Sequence, residues 1–383
     1  MPHSPTPPVS ISRPGSKFKP ARITRIETPY AHALHAYQGL CPWNPAGTHL
    51  VYAGLDEETK STRIVIRDLG DNSDNVVGET AGCDYHTAVY QQWILNGAGV
   101  VYRDTRGEIK GSTIAPAPGS SLAPAFLPSL QIRAVAPSTR HGYGYSLEDP
   151  ISAMRADFTT GKVERYFDAG EAARHLTADI AEPCEYSFSH FVPNKDETLA
   201  FIKVSKPEPH RKRPGQMDDW GAFFIYNLKD GGFLCLGDRI SGHPQWNPEG
   251  THIVNIMQPL DGSDNRWLVA VDAVSGAVQR LVDFPIEGPG HPVVSPDGRY
   301  LATDAYLANR QCCPIYLIDL STGAVSEIAR FDHSTKLTST YQPGTIHRSN
   351  LHPVWSPDGS KLLVNANEGG TRLGMYLLED FLA

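Results

Sequence analysis

HPQWNPEG from His243, HPVVSPDG from His291 and HPVWSPDG from His352 are three copies of one phrase. Each couples a histidine to a short apolar run and then to a tight turn, where proline presets the first turn position and glycine accepts positive φ. An alternating strand follows, as in KLLVNAN from Lys361 to Asn367, so the phrase reads as a β-hairpin. Looser copies extend the series: CPWNPAGTHLVYAG from Cys41, QWILNGAGVVYRD from Gln92, AVAPSTRHGYGYS from Ala134 and HFVPNKDETLAFIK from His190. Aligned on Pro45, Gly97, Pro137, Pro193, Pro248, Pro296 and Pro357, the seven copies stand 40 to 61 residues apart. That is the period of a propeller blade, and the copies lack the 3.6-residue periodicity of a helical solenoid.

A third strand often follows and closes on a second turn, as in RIVIRDL from Arg63, FFIYNLKDG from Phe223, WLVAVDAVSG from Trp267 and IYLIDLSTG from Ile315. Three or four strands in each of seven repeats predict an all-β, seven-bladed β-propeller. The last repeat ends on GMYLLED, Gly374 to Asp380, with no room for an outer strand, while ARITRIETPY, Ala21 to Tyr30, precedes the first repeat and reads as one. The N-terminal strand is therefore expected to close the last blade and seal an edge that would otherwise template aggregation.

Residues 1–18 are rich in proline and serine and poor in apolar groups, which predicts a disordered arm; residues 19–383 are expected to form one propeller domain, since no linker divides them. The arm lacks the apolar core of a signal peptide, and no apolar run approaches the ~20 residues needed to span a membrane. A cytoplasmic chain, monomeric or homodimeric and without a membrane partner, is the expectation. The six cysteines form no CxxC pair and read as reduced, buried thiols. A net charge of -8 argues against nucleic acid as a partner. The local basic cluster HRKRPG, His210 to Gly215, could meet an anionic substrate or be a solvated loop.

The first strand of each propeller blade lines the central channel. His190, His243, His291 and His352 hold comparable places in four consecutive repeats, and His347 lies five residues before the last. Imidazoles from different blades can meet there at one metal ion, with Gln342 or Asn350 adding a ligand. A single such histidine would be satisfied by a backbone carbonyl; four in register point to a ligand cluster.

HPxxSPDG, together with the segment from His347 through Asn350 to His352, resembles the oligogalacturonate lyases, a group of seven-bladed propeller polysaccharide lyases. The resemblance covers residues 20 to 383 and is strongest over 240 to 383. Pro-Asp-Gly turns alone would also suit TolB-like propellers; the paired histidines of the last blade would not. The resemblance implies a divalent metal, usually manganese, at His291, His347 and His352, with Asn350 where that family varies, so that calcium or zinc stays open. It implies His243 as the base. The family's partner arginine is missing from DDWGAFFIYN, Asp218 to Asn227, leaving Arg211, Arg213 or Arg266 to supply that charge.

The chain is also similar to the propeller lyases that cleave ulvan and to the rhamnosyl-glucuronate lyases. That similarity implies His86 and Tyr143 or Tyr145 as acid and base and Arg155 as carboxylate neutraliser, with Arg103 or Arg106 where a second histidine is expected. Both resemblances imply β-elimination from a uronate-containing oligosaccharide or polysaccharide. The C5 proton, α to a carboxylate, is removed once that carboxylate is neutralised, by a neutral histidine or a tyrosine of lowered pKa. A glycoside hydrolase would need two carboxylates ~5–9 Å apart, for which Asp84, Glu148, Asp149 and Glu185 are available. A protein-binding scaffold would need none of the axial histidines.

Overall fold

Seven four-stranded antiparallel sheets follow one another along the chain in the computed structural model. It describes residues 18–56, 59, 61–81, 85–148, 151–178, 181, 185–206, 221–238, 240–257, 266–286, 290–305, 312–332, 350–368 and 372–382. Six sheets are built from consecutive strands, starting at His32, Gln92, Leu130, Ser187, Ile240 and Val293. The seventh takes three strands from Val354 onward and its fourth from the N-terminus, where Arg22–Ile26 pairs antiparallel with Arg372–Glu379. The expected architecture and its closure are both present. Phe18, expected in the arm, instead bridges to Leu382.

Each blade's first hairpin turns on the same hydrogen bond. It runs to the carbonyl of Asn44, Leu95, Ala136, Asn194, Asn247, Ser295 or Ser356 from the N–H three residues on. In the second and fourth blades the turn opens off the residues aligned in sequence: the fourth starts on Asn194, so Pro193 ends the strand. The residue that opens the turn has its own function. The Asn194 and Asn247 side chains each accept two backbone N–H bonds from beyond the turn, and Ser295 and Ser356 accept one each. Gly298 and Gly359 carry the left-handed φ that ends the turn (74° and 70°), and Gly359 lies against Pro296 of the blade before. Gly47 meets Pro357 in the same way, so the ring of turns closes from the last blade onto the first.

Apolar side chains are buried between adjacent blades. Phe201, Phe223 and Ile225 pack against Ile253, Val269 and Val271 of the next sheet, each worth about 1.5–3 kcal/mol relative to exposure. A strand in mid-blade is covered on both faces, so Cys312–Asp319 is buried at every position, whereas the outer strand Val278–Arg280 is exposed throughout. Tryptophans of the inner strands stitch blades together: Trp93 donates to the Pro42 carbonyl, Trp246 to Val192 and Trp355 to Val293. The free thiols are less uniform than expected. Cys312 and Cys313 are buried, Cys235 is partly buried and Cys41 is exposed, while Cys83 and Cys184 lie outside the described residues. Among the described residues no helix is long and apolar enough to cross a membrane.

Candidate functional site

His190, His243, His291 and His352 each stand four residues before the residue that opens their blade's turn. His190 and His243 lie midway along the inner strands Ser187–Pro193 and Ile240–Trp246, and His291 and His352 lie two residues before Val293–Val294 and Val354–Trp355. The backbone there is bent to present them. Pairing with the second strand shifts register between Ser189 and Val192 and again between Ser241 and Gln245. His190 and His352 have φ of 63° and 45°. A non-glycine residue in that region costs on the order of 1–3 kcal/mol, and such strain gathers at functional sites. Ala88 and Tyr90, in the segment that carries His86 into the second blade, share the same left-handed region.

The rings meet on the axis. His291 lies 4.2 Å from His243 and 4.5 Å from His352 between ring centroids, and His86 lies 5.1 Å from His352 and 6.4 Å from His243. His86 and the histidines of the last three blades, assigned by sequence to two separate centres, thus form one cluster. At its middle is Tyr37, on an excursion from the first blade's inner strand, with centroids 5.0 to 6.3 Å from His352, His86, His243 and His190. The neighbouring Gln38 side chain donates to the His243 carbonyl at 2.6 Å, tying that excursion to the fifth blade.

Burial keeps three of these imidazoles neutral. His190, His243 and His352 are held well below the ordinary histidine pKa, first by desolvation and then by nearby positive or imidazole groups. His291 is oriented by Asp304, whose carboxylate lies 2.9 Å from Nδ1, an arrangement that fixes the ring and, with Nδ1 as donor, leaves the acceptor lone pair on Nε2. His190 Nδ1 pairs with the Ser189 hydroxyl at 2.7 Å. Nε2 of His190, Nδ1 of His243 and both nitrogens of His352 are shut off from solvent with no hydrogen-bond partner.

On the side of blades two to four the cluster becomes basic and aromatic. The Arg133 guanidinium lies over both Tyr37 (4.4 Å) and Tyr90 (4.7 Å), and Arg103 lies over Tyr90 at 5.3 Å. Tyr145 is close enough to Tyr90, Arg133 and Arg103 to sense their charges, and Lys203 acts on His190 and His243.

Of the residues expected in the site, His86, His243, His291 and His352 share the axial cluster, and Arg103 and Tyr145 border it. Asn350 is buried just before His352. Tyr143 is fully buried in the wall between blades three and four, edge-on to Phe191, with its hydroxyl donating to Glu197 at 2.8 Å. Burial and that carboxylate push its pKa up, and burial raises Tyr145 too, so neither phenol has the lowered pKa a tyrosine base would need. Arg155 is ion-paired with Glu164 inside its own blade. Arg106 pairs with Asp104 at 3.2 Å beside a groove of about 340 Å³ between blades one and two. Arg266 is buried at a bridge to Ile286. His347, Arg211 and Arg213 lie outside the described residues, as do Asp84 and Asp149; Glu148 and Glu185 are exposed.

Tyr37, Tyr90, Arg133 and Asp304 were not singled out by the sequence. Arg133 had a readable signal, as a lone charge inside the apolar run LQIRAVA from Leu130. Tyr37 had little, because AHALHAYQGL from Ala31 carries no repeat phrase.

A seven-bladed propeller with an axial imidazole cluster is the class that fold and site define. No family model matches the chain, and no curated protein matches it in sequence. Among solved structures, an oligogalacturonate lyase in complex with manganese aligns over 94% of this chain and 93% of its own, with a TM-score of 0.65 and 16% identity. The oligogalacturonate lyase from Vibrio parahaemolyticus aligns over the same shares with a TM-score of 0.67 and 12% identity. The β-propeller domain of the Trilobed protease from Pyrococcus furiosus covers 91% of this chain and 98% of its own at 0.54 and 13%. At these identities the likeness is one of fold.

Proposed function

We propose that this protein is a carbohydrate lyase that cleaves a uronate-containing oligosaccharide by β-elimination. The observation that carries the reading is the axial cluster itself: neutral, desolvated imidazoles with unpaired nitrogens, beside a basic rim. A general base must be unprotonated at working pH, and burial supplies that condition here. The full-length likeness to oligogalacturonate lyases supports the same reaction class.

The donor chemistry of the cluster suits a divalent cation. Bare imidazole nitrogens and a carboxylate-backed histidine suit zinc best and manganese less well, whereas calcium takes oxygen ligands. As placed, no three histidine, cysteine or acidic side chains among the described residues converge as a ligand set. His291 and His352, with Asn350 and His347 beside them in sequence, would hold the ion, which leaves His243 free of it. Bound there, it would offset negative charge on the sugar carboxylate and so acidify the C5 proton.

His243 takes that proton in this reading. The electrons of the broken C5–H bond form the C4–C5 double bond, and the C4–O4 bond breaks. Tyr145, kept protonated by burial, returns a proton to O4. A panel of uronate oligosaccharides, offered to manganese-loaded protein, tests this by the ultraviolet absorbance of the 4,5-unsaturated product. New reducing ends without that absorbance would show hydrolysis instead. No cleavage of any uronate oligosaccharide would leave the fold without this function.

A further inference from the structure

We infer that Arg133, framed by Tyr37 and Tyr90, is the carboxylate-recognition residue of this site and sets its selectivity for acidic over neutral sugars. This rests on the lyase reading above only for the identity of the sugar. Arg133 is 3% exposed, and its Nη1 has no hydrogen-bond partner. Its contacts are the faces of the two tyrosines, and among the described residues it has no carboxylate to pair with. A buried guanidinium is normally paired, because desolvating an uncompensated charge is expensive. The tyrosine faces offset part of that penalty through cation–π attraction and leave Nη1 unspent.

The local charge points the same way. Arg103 lies over the Tyr90 ring as Arg133 does, and both Arg133 and Lys203 depress the His190 pKa, so cations of two further blades stand near Arg133. Position matters as much as charge. A register shift between Ile132 and Ala134 puts Arg133 at a bulge of the inner strand, and bulges re-aim side chains. In blade three its guanidinium thus reaches Tyr37, as histidines of blades four, five and seven do, from one residue nearer the turn. A guanidinium's planar fork matches two carboxylate oxygens, which an ammonium does not.

Calorimetric titration of the full chain with D-galacturonate, D-glucuronate, D-galactose and inorganic phosphate tests the assignment without requiring turnover. Wild type should bind at least one uronate and discriminate against galactose. Arg133→Met, which keeps the buried stem, should weaken uronate binding by about tenfold or more, the ordinary worth of a charge-assisted hydrogen bond, and Arg133→Lys should lose less. If Arg133→Met does not fold, Arg133→Lys and Tyr90→Leu carry the test: each should weaken uronate more than galactose. Unchanged uronate affinity in the variants, equal binding of galactose by wild type, or Arg133-dependent binding of phosphate in preference to uronate would overturn it. Arg133-dependent uronate binding without cleavage of any oligosaccharide would sink the lyase reading and leave this one standing; full cleavage by Arg133→Met would do the reverse.

Discussion

Two tyrosines one residue apart illustrate how much a single side chain's surroundings decide. Tyr143 and Tyr145 are separated by Gly144 on one strand and pack against one cluster, yet the first gives its hydroxyl to Glu197 and the second lies near the charges of Arg133 and Arg103. Tyr143→Phe removes one buried hydrogen bond to Glu197, so stability measured by urea unfolding should fall by about 1–2 kcal/mol while turnover stays near wild type. A large loss of kcat at unchanged stability would return Tyr143 to the chemistry. The histidines make a second case. Since His86 and His243 face the same cluster, with centroids 6.4 Å apart, His86→Ala and His243→Ala should each lower kcat/KM by about 10²-fold. The double variant should lose much less than the product of the two, as residues acting in one unit do. A double-mutant cycle reads this directly, and wild-type activity in either single variant would separate the centres again.

At the scale of strands and turns, the closure is where a few contacts hold the whole ring. Arg25 of the N-terminal strand donates to Glu368 at 2.7 Å, and the Tyr376 hydroxyl donates to the same oxygen from the adjoining strand of the last blade. Burial alone would raise the Glu368 pKa, but the bonds from Arg25 and Tyr376 outweigh it and hold it low. Arg25→Met should cost about 1.5–3 kcal/mol, the range for hydrogen bonds to charged groups. Arg22, on the same strand but 58% exposed, pairs with Asp380 and Glu379 in solvent, and Arg22→Met should shift the urea midpoint far less than Arg25→Met. Urea midpoints compare the two, and equal losses would show that the clasp has no special weight. These elements were legible in the sequence because proline, glycine and alternating apolar residues act locally: the hairpins, the blade count and the N-terminal closure all follow from them. The axial histidines were legible for the same reason, carried in register by the repeat. Tyr37 and Arg133 were not, since the first rides on an excursion outside the repeat and the second is aimed by a bulge. Both depend on which blades become neighbours across the axis, which strand periodicity does not encode.

Over the whole molecule, every blade sends a side chain to the same place: Tyr37, His86, Arg133, His190, His243, His291 and His352 come from blades one to seven in order. The site is therefore complete only when the ring is closed, and the ring is closed around groups that must stay uncharged. His35, at the base of the Tyr37 excursion, is pulled down to about 3 by burial, and His190, His243 and His352 are depressed by the same cause. The sign of the linkage follows from which state binds more protons. In the unfolded chain these imidazoles titrate near the ordinary value of about 6.5, and in the folded ring they stay neutral well below it. Below about pH 6.5 the unfolded state thus takes up protons that the folded state refuses. Stability is full above that value and falls as pH drops towards the folded pKa values, by up to ~1.4 kcal/mol per pH unit for each imidazole. Urea unfolding at pH 7.5, 6.5 and 5.5 should show midpoints that are level over the first interval and fall steeply over the second, with a cation bound at the cluster steepening the fall because protons compete with it. Replacing His35 by Gln should make the fall shallower by about one proton's worth. A midpoint that is flat from pH 7.5 to 5.5, or equally steep in His35→Gln, would mean that the axial imidazoles are not held neutral by the closed ring.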